Sequence, residues 1–163
     1  MKTRNLNYIS STNKRINRIP TFPIVRLRRL RKSPAMRDLL QETHLSVTDV
    51  ICPLFVEEGI SKPHPIMSMP DVQRMPLTSL LKTIEEIIKS GIKAVILFGI
   101  PSMKDKKGHS AYDDNGIVQQ SVELIRKHFS DKIVIITDVC LCQYTTEGHC
   151  GILVKKKIEN DGS

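Results

Sequence analysis

The chain has no tryptophan, only 4% aromatic residues and, across 163 residues, no run of 18 or more apolar ones. Each absence excludes something. Without such a run no membrane-spanning helix is expected. No apolar leader opens the chain and there are only four cysteines, so a reduced compartment is expected, not a secreted disulfide scaffold. With so few rings, the core has to come from Ile, Leu, Val and Met. The length permits one compact domain. No internal repeat is found beyond an alternation of strand-like and helix-like segments.

Charge of one sign is abundant. The formal net charge is +8, and residues 14–37 hold nine of the lysines and arginines. Such a run could grip nucleic-acid phosphates. Only Phe22 interleaves it, however, and no nucleic-acid motif accompanies it. A solvated or subunit-bridging arm is the expected reading, with no nucleic-acid partner. Residues 1–25 are polar and proline-punctuated, and are expected to form an extended N-terminal arm.

Beyond the arm the periodicity alternates between two and 3.6. Ser33 is placed to cap a short helix that begins at Pro34 and runs to about Gln41. Residues 50–56 are apolar almost throughout, as a buried parallel strand should be. Residues 57–76, with four prolines, read as a long loop. Leu80, Leu81, Ile84, Ile87 and Ile88 predict a helix over 77–90, capped by Thr78 or Ser79 and ended by Gly91. A second strand is expected at 93–98, a lysine-bearing polar loop at 99–114, a second long helix at 115–129 and a third strand at 132–139. Strands alternating with helices argue for a parallel sheet.

The chemistry concentrates after the third strand. Asp138-Val139-Cys140-Leu141-Cys142-Gln143-Tyr144-Thr145 is followed by Gly148-His149-Cys150-Gly151. Three thiols within eleven residues can converge on one soft cation. Zinc held by three protein ligands keeps a fourth position for water or substrate. The alternatives are inert packing of Cys140 and Cys142 on one strand face, or a disulfide. Cys150 weighs against packing, because its glycine-rich turn has no core to fill. Cys52, inside the first strand, is expected to be a packed thiol.

These segments resemble the delta-aminolevulinic acid dehydratase (porphobilinogen synthase) family. The cysteine segment is similar to that family's zinc signature. Arg28-Arg29-Leu30-Arg31-Lys32-Ser33-Pro34-Ala35-Met36-Arg37, Cys52-Pro53-Leu54-Phe55-Val56-Glu57-Glu58-Gly59, Met69-Pro70-Asp71-Val72-Gln73-Arg74 and Leu97-Phe98-Gly99-Ile100 are similar to further family segments, in the same order. A magnesium-dependent branch carries carboxylates at the three cysteine positions, so the resemblance is to the zinc-dependent branch.

The resemblance implies a partial (β/α)8 barrel. Its first three strands and two crossover helices lie within residues 26–163, which stop just after the zinc loop, preceded by the arm at 1–25. It implies Zn2+ on Cys140, Cys142 and Cys150, and Asp138 as an active-site acid or base; a loop or capping role for Asp138 is the plainer alternative. It implies condensation of two 5-aminolevulinate molecules to porphobilinogen with loss of two waters, in tetrapyrrole biosynthesis, by a cytoplasmic homo-octamer. No position matches the family's two Schiff-base lysines. Lys93 is expected at the entry end of its strand, opposite the active-site face, and Lys104, Lys106, Lys107, Lys155, Lys156 and Lys157 are expected to be solvated, so none replaces them. A catalytically inactive zinc-binding or subunit-association module is the alternative. His64, His109 and His149 carry no assigned role.

Overall fold

The computed structural model describes residues 22–26, 28–155 and 157–159. Most of the expected arm lies outside these residues, as does Lys156. The chain divides into two units, residues 1–44 and 45–163.

In the first unit a 3-10 turn spans Arg28–Arg31, and helix α1 spans Pro34–Leu39. Ser33 caps α1 as expected: its Oγ accepts from the Met36 N–H at 3.2 Å, and Pro34 takes the first position, where no N–H is needed. The helix stops two residues earlier than its pattern suggested. Every residue of it is exposed, so no packing holds a further turn.

The second unit is built on strands β1 (Ile51–Glu57), β2 (His64–Pro65), β3 (Gln73–Met75), β4 (Ala94–Ile100) and β5 (Val134–Thr137). They form one sheet in the order β2-β3-β1-β4-β5. β1 pairs with β4, and β4 with β5, in parallel, Leu54 lying opposite Leu97 and Leu97 opposite Thr137. Helix α2 (Leu77–Lys89) connects β1 to β4 by way of β3, and helix α3 (Ile117–Phe129) connects β4 to β5. This is the α/β order read from the sequence, with an open sheet that follows the course of a partial (β/α)8 barrel.

Two expectations are corrected. Residues 57–76 are not a plain loop, because β3 runs parallel to β1 and β2 runs antiparallel to β3. The burial of Met75 at the end of β3 anchors that short strand, a signal too brief to register as periodicity. Thr78 and Ser79 do not cap α2. Pro76 occupies the cap position without a side-chain bond, and its carbonyl accepts from the Ser79 N–H at 3.0 Å. The expected C-terminus holds: Gly91 takes φ +93° and donates to the Ile88 carbonyl at 3.1 Å.

The core lies on one face of the sheet. Leu54 and Val56 of β1, Val95 and Leu97 of β4, and Ile133 meet Leu80, Ile84 and Ile87 of α2 and Ile117 and Ile125 of α3. The i, i+4, i+7 spacing of the α2 residues puts them on one stripe, and alternation puts the strand residues on one side. Cys52 packs half-buried against this cluster, and its burial pushes its thiol pKa up. Among the core side chains is a hydroxyl that periodicity does not flag: fully buried Ser121 donates to the Ile117 carbonyl at 2.6 Å.

The other face holds Phe55, Ile96, Phe98, Ile100 and Ile136 half-buried, and Val134 is 56% exposed. Phe55 and Phe98 are register partners and stack there at 5.0 Å between ring centroids. Pro53 lies in β1 beyond the reach of β3, which pairs only with Phe55 and Val56. A missing N–H is tolerated there, since among the described residues β1 has only β4 beside it at that point.

Gly99 brings β4 and α3 together. A Cβ there would lie 2.5 Å from Val118 Cγ2, 2.9 Å from Ile117 Cγ2 and 2.7 Å from Tyr144 Oη. Gly99→Ala is therefore expected to cost about 1–3 kcal/mol by overpacking. Chemical denaturation measures it; an unchanged midpoint would show that the helix yields freely.

Candidate metal centre

Strand β5 ends at Thr137, and the next N–H, that of Asp138, still donates to the Leu97 carbonyl at 3.3 Å. The ladder thus fixes where the following loop departs, at the C-terminal edge of the parallel strands, the usual place for sites in such folds. Asp138 is half-buried just past the strand end. Its Oδ1 accepts from the Cys140 N–H at 3.4 Å.

The loop then returns on itself. The Tyr144 and Thr145 N–H groups both donate to the Leu141 carbonyl, at 2.9 and 3.2 Å. Gly148 takes φ +71°, a conformation that favours glycine, and donates to the Thr145 carbonyl at 3.3 Å. This turn brings Cys150 back to the start of the loop. Its Sγ lies 3.2 Å from that of Cys140 and 3.0 Å from that of Cys142. All three sulfurs lie within 4.8 Å of one another. None forms a disulfide, and none belongs to the hydrophobic core.

The structure thus gathers the three thiols outside the hydrophobic core, unpaired and facing one another. Three convergent thiols could hold a metal ion, and the donor set fits a soft or borderline cation. Three protein ligands make an open site of the kind that leaves a position for water or substrate. His149 is exposed, with no side chain in the cluster, and its peptide is the part that is bonded.

The thiols differ in acidity. The hydrogen bond shared by Cys142 and Cys150 pushes Cys142 up to about 12 and draws Cys150 down to about 7; Cys140 adds to both effects. The thiolate is the nucleophile, so the more acidic thiol reacts first near neutrality. Iodoacetamide is expected to label Cys150 before Cys142 and Cys52 in metal-free protein, with a rate that rises through about pH 7. Peptide mapping checks the order. Cys142 labelled first would reverse this order of acidity.

Asp138, Cys140, Leu141 and Tyr144 also line a cavity of about 630 Å3 whose far wall is Val118, Gln119, Val122 and Glu123 of α3. Tyr144 is buried, and burial holds its hydroxyl protonated above the usual phenol range, with the charges at Asp138 and Cys140 adding to the effect. Lys104, Lys106 and Lys107 are exposed on the loop after β4, as expected. Lys93 ends up just before β4, where its carbonyl accepts from the Val134 N–H at 2.8 Å. Lys155 and Lys157 are exposed at a hairpin of β6 (Leu153–Val154) and β7 (Lys157–Ile158). Among the described residues no lysine lines the cavity. Sequence reasoning missed Asp105, Tyr144 and Thr145. A polar residue fully bonded inside a loop leaves no periodic trace.

The sequence model of the delta-aminolevulinic acid dehydratase family matches residues 24–163. Among curated proteins, the delta-aminolevulinic acid dehydratase of Methanothermus sociabilis is 51% identical over 140 residues, which are 86% of this chain and 43% of that protein. That of Escherichia coli K12 is 40% identical over 140 residues, with the same two coverages. Among solved structures, the Toxoplasma gondii ME49 enzyme, in complex with its reaction product porphobilinogen, superimposes with a TM-score of 0.76 at 34% identity. The match covers 84% of this chain and 40% of that one. The chain thus spans less than half the length of these relatives. By sequence and by fold alike, this chain belongs to the delta-aminolevulinic acid dehydratase family.

Proposed function

We propose that this chain serves porphobilinogen synthesis: the condensation of two 5-aminolevulinate molecules with loss of two waters, in tetrapyrrole biosynthesis. The observation that carries the reading is the set of three free thiols gathered at the C-terminal edge of a parallel sheet. Cys140, Cys142 and Cys150 would hold Zn2+. Held there, such an ion would supply Lewis acidity toward a carbonyl oxygen of the substrate.

The remaining work falls to the chain's own groups. Asp138 Oδ1 is engaged by the Cys140 N–H, so Oδ2 is assigned the proton that moves to or from substrate. The Tyr144 hydroxyl stays neutral and can only donate or accept a hydrogen bond at neutral pH. Residues 1–25 are proposed to bridge subunits of a homo-octamer. A cytoplasmic location accords with the free thiols, and no helix among the described residues is long and apolar enough to cross a membrane.

A fusion of this chain to the C-terminal part of the Escherichia coli relative tests the reading. It should restore growth to a strain lacking its own porphobilinogen synthase, and the fusion carrying Cys150→Ser should not. A soluble, zinc-loaded fusion that fails to restore growth would sink the proposal.

A further inference from the structure

Thr145 is only 4% exposed, although it sits in a polar loop. Its hydroxyl grips one residue from both sides. Oγ1 donates to the His149 carbonyl at 2.8 Å and accepts from the His149 N–H at 3.1 Å. Those two groups belong to the two peptide planes that flank His149, and the second of these planes carries Cys150. One hydroxyl therefore fixes the backbone that aims the last thiol.

That thiol needs the help most. Cys140 is held by the strand exit and by Asp138, and Cys142 lies within the turn closed on the Leu141 carbonyl. Cys150 arrives eight residues later, after a glycine turn, in a stretch that is exposed from residue 146 to residue 150.

Thr145 is itself seated by the loop after β4. Asp105 and Thr145 form an isolated parallel bridge. The Asp105 N–H donates to the Tyr144 carbonyl at 3.4 Å, and the Asp105 carbonyl accepts from the Thr146 N–H at 3.1 Å. The Asp105 carboxylate shapes its own loop. It accepts from the Lys107 N–H at 2.6 Å and the His109 N–H at 3.2 Å, and lies 2.9 Å from His109 Nδ1.

We propose that Thr145, seated by Asp105, is a positioning residue of the metal centre: its hydroxyl sets the place of the Cys150 thiol against those of Cys140 and Cys142. The inference rests on the reading of the three cysteines as a metal site. Groups that orient a ligand from behind it commonly govern metal affinity by about 10–100-fold.

The test uses Co2+ as the probe on the full chain, with affinity and the sulfur-to-cobalt charge-transfer band as readouts. Thr145→Val keeps the shape and removes the hydroxyl; Thr145→Ser keeps the hydroxyl. The valine variant should bind Co2+ about 10–100-fold more weakly. Its band should fall toward that of Cys150→Ser, while the serine variant stays near the parent. A merely structural threonine would lower the melting temperature and leave band and affinity alone, and that result overturns the proposal. Should circular dichroism show the valine variant unfolded, Thr145→Ala, which also removes the hydroxyl, is read in its place. It must weaken Co2+ binding and lose Cys150 from the band, and parent-like binding overturns the proposal equally. A parent chain that shows no thiolate band with Co2+ removes the metal reading itself and this inference with it; a parent band matched by the valine variant removes this inference alone.

Discussion

The 163-residue chain, purified and supplied with zinc and 5-aminolevulinate, is expected to form no measurable porphobilinogen. The condensation needs one substrate held and activated as an imine, and an imine-forming lysine must be neutral, through burial or a neighbouring cation. The lysines that flank the candidate site are exposed: Lys104, Lys106 and Lys107 on one loop, Lys155 and Lys157 on the hairpin beyond. None lines the cavity beside Asp138. Borohydride should therefore trap no adduct on them above the background of surface amines. Addition of the C-terminal part of a relative, as a separate chain or by fusion, should restore turnover, and Cys150→Ser should then reduce it. Product formed by the 163 residues alone, and lost on mutation of one of these lysines, would overturn the argument.

The second large effect concerns metal. Replacement of Cys140, Cys142 or Cys150 by serine removes a thiolate and should cost more than the 10–100-fold typical of outer-shell changes, so a loss in zinc affinity beyond about 100-fold is expected. Cys52→Ser should change nothing, because Cys52 packs on the core inside β1 and takes no part in the cluster. The pH dependence follows from the thiols. Ligation requires thiolates, so protons compete with the metal. Cys142, at about 12, keeps its proton until the metal displaces it. Cys150, at about 7, is protonated as the pH falls through that value. Affinity should therefore fall toward acid, and binding at pH 8 should release protons. Calorimetry in two buffers of different ionisation enthalpy measures that release. Equal heats in both buffers would show that the thiols do not give up protons to the ion.

Much of this was legible in the sequence, for identifiable reasons. The long amphipathic helices were readable because their apolar spacing extends over three turns. The central strands were readable because nearly every residue in them is apolar. The convergence of the three cysteines was readable because Cys150 stands in a glycine-rich turn with no packing duty. What escaped is local and polar. β3 is three residues long, so it offers no period. Pro76 displaced the hydroxyl residues expected to cap α2, because a proline with extended ψ begins a helix without a side-chain acceptor. Asp105 and Thr145 lie forty residues apart in sequence, and nothing in either segment announces that the two loops exchange backbone hydrogen bonds. Gly99 stood in a quoted segment, yet only the packing of Val118 and Tyr144 against it shows what its missing side chain allows.

All three sulfurs come from one contiguous stretch, residues 140–150. A chelate ring this small costs little chain entropy to close, since that cost grows only with the logarithm of loop length. An ion bound there ties no distant parts of the chain together. Loading and stripping should then be local events, read in the thiols and the loop, while the melting of the sheet and its two long helices stays governed by Leu80, Ile84, Leu97 and Ile125. The candidate metal centre is in this sense modular: a cation should come and go there without refolding the scaffold that presents the thiols.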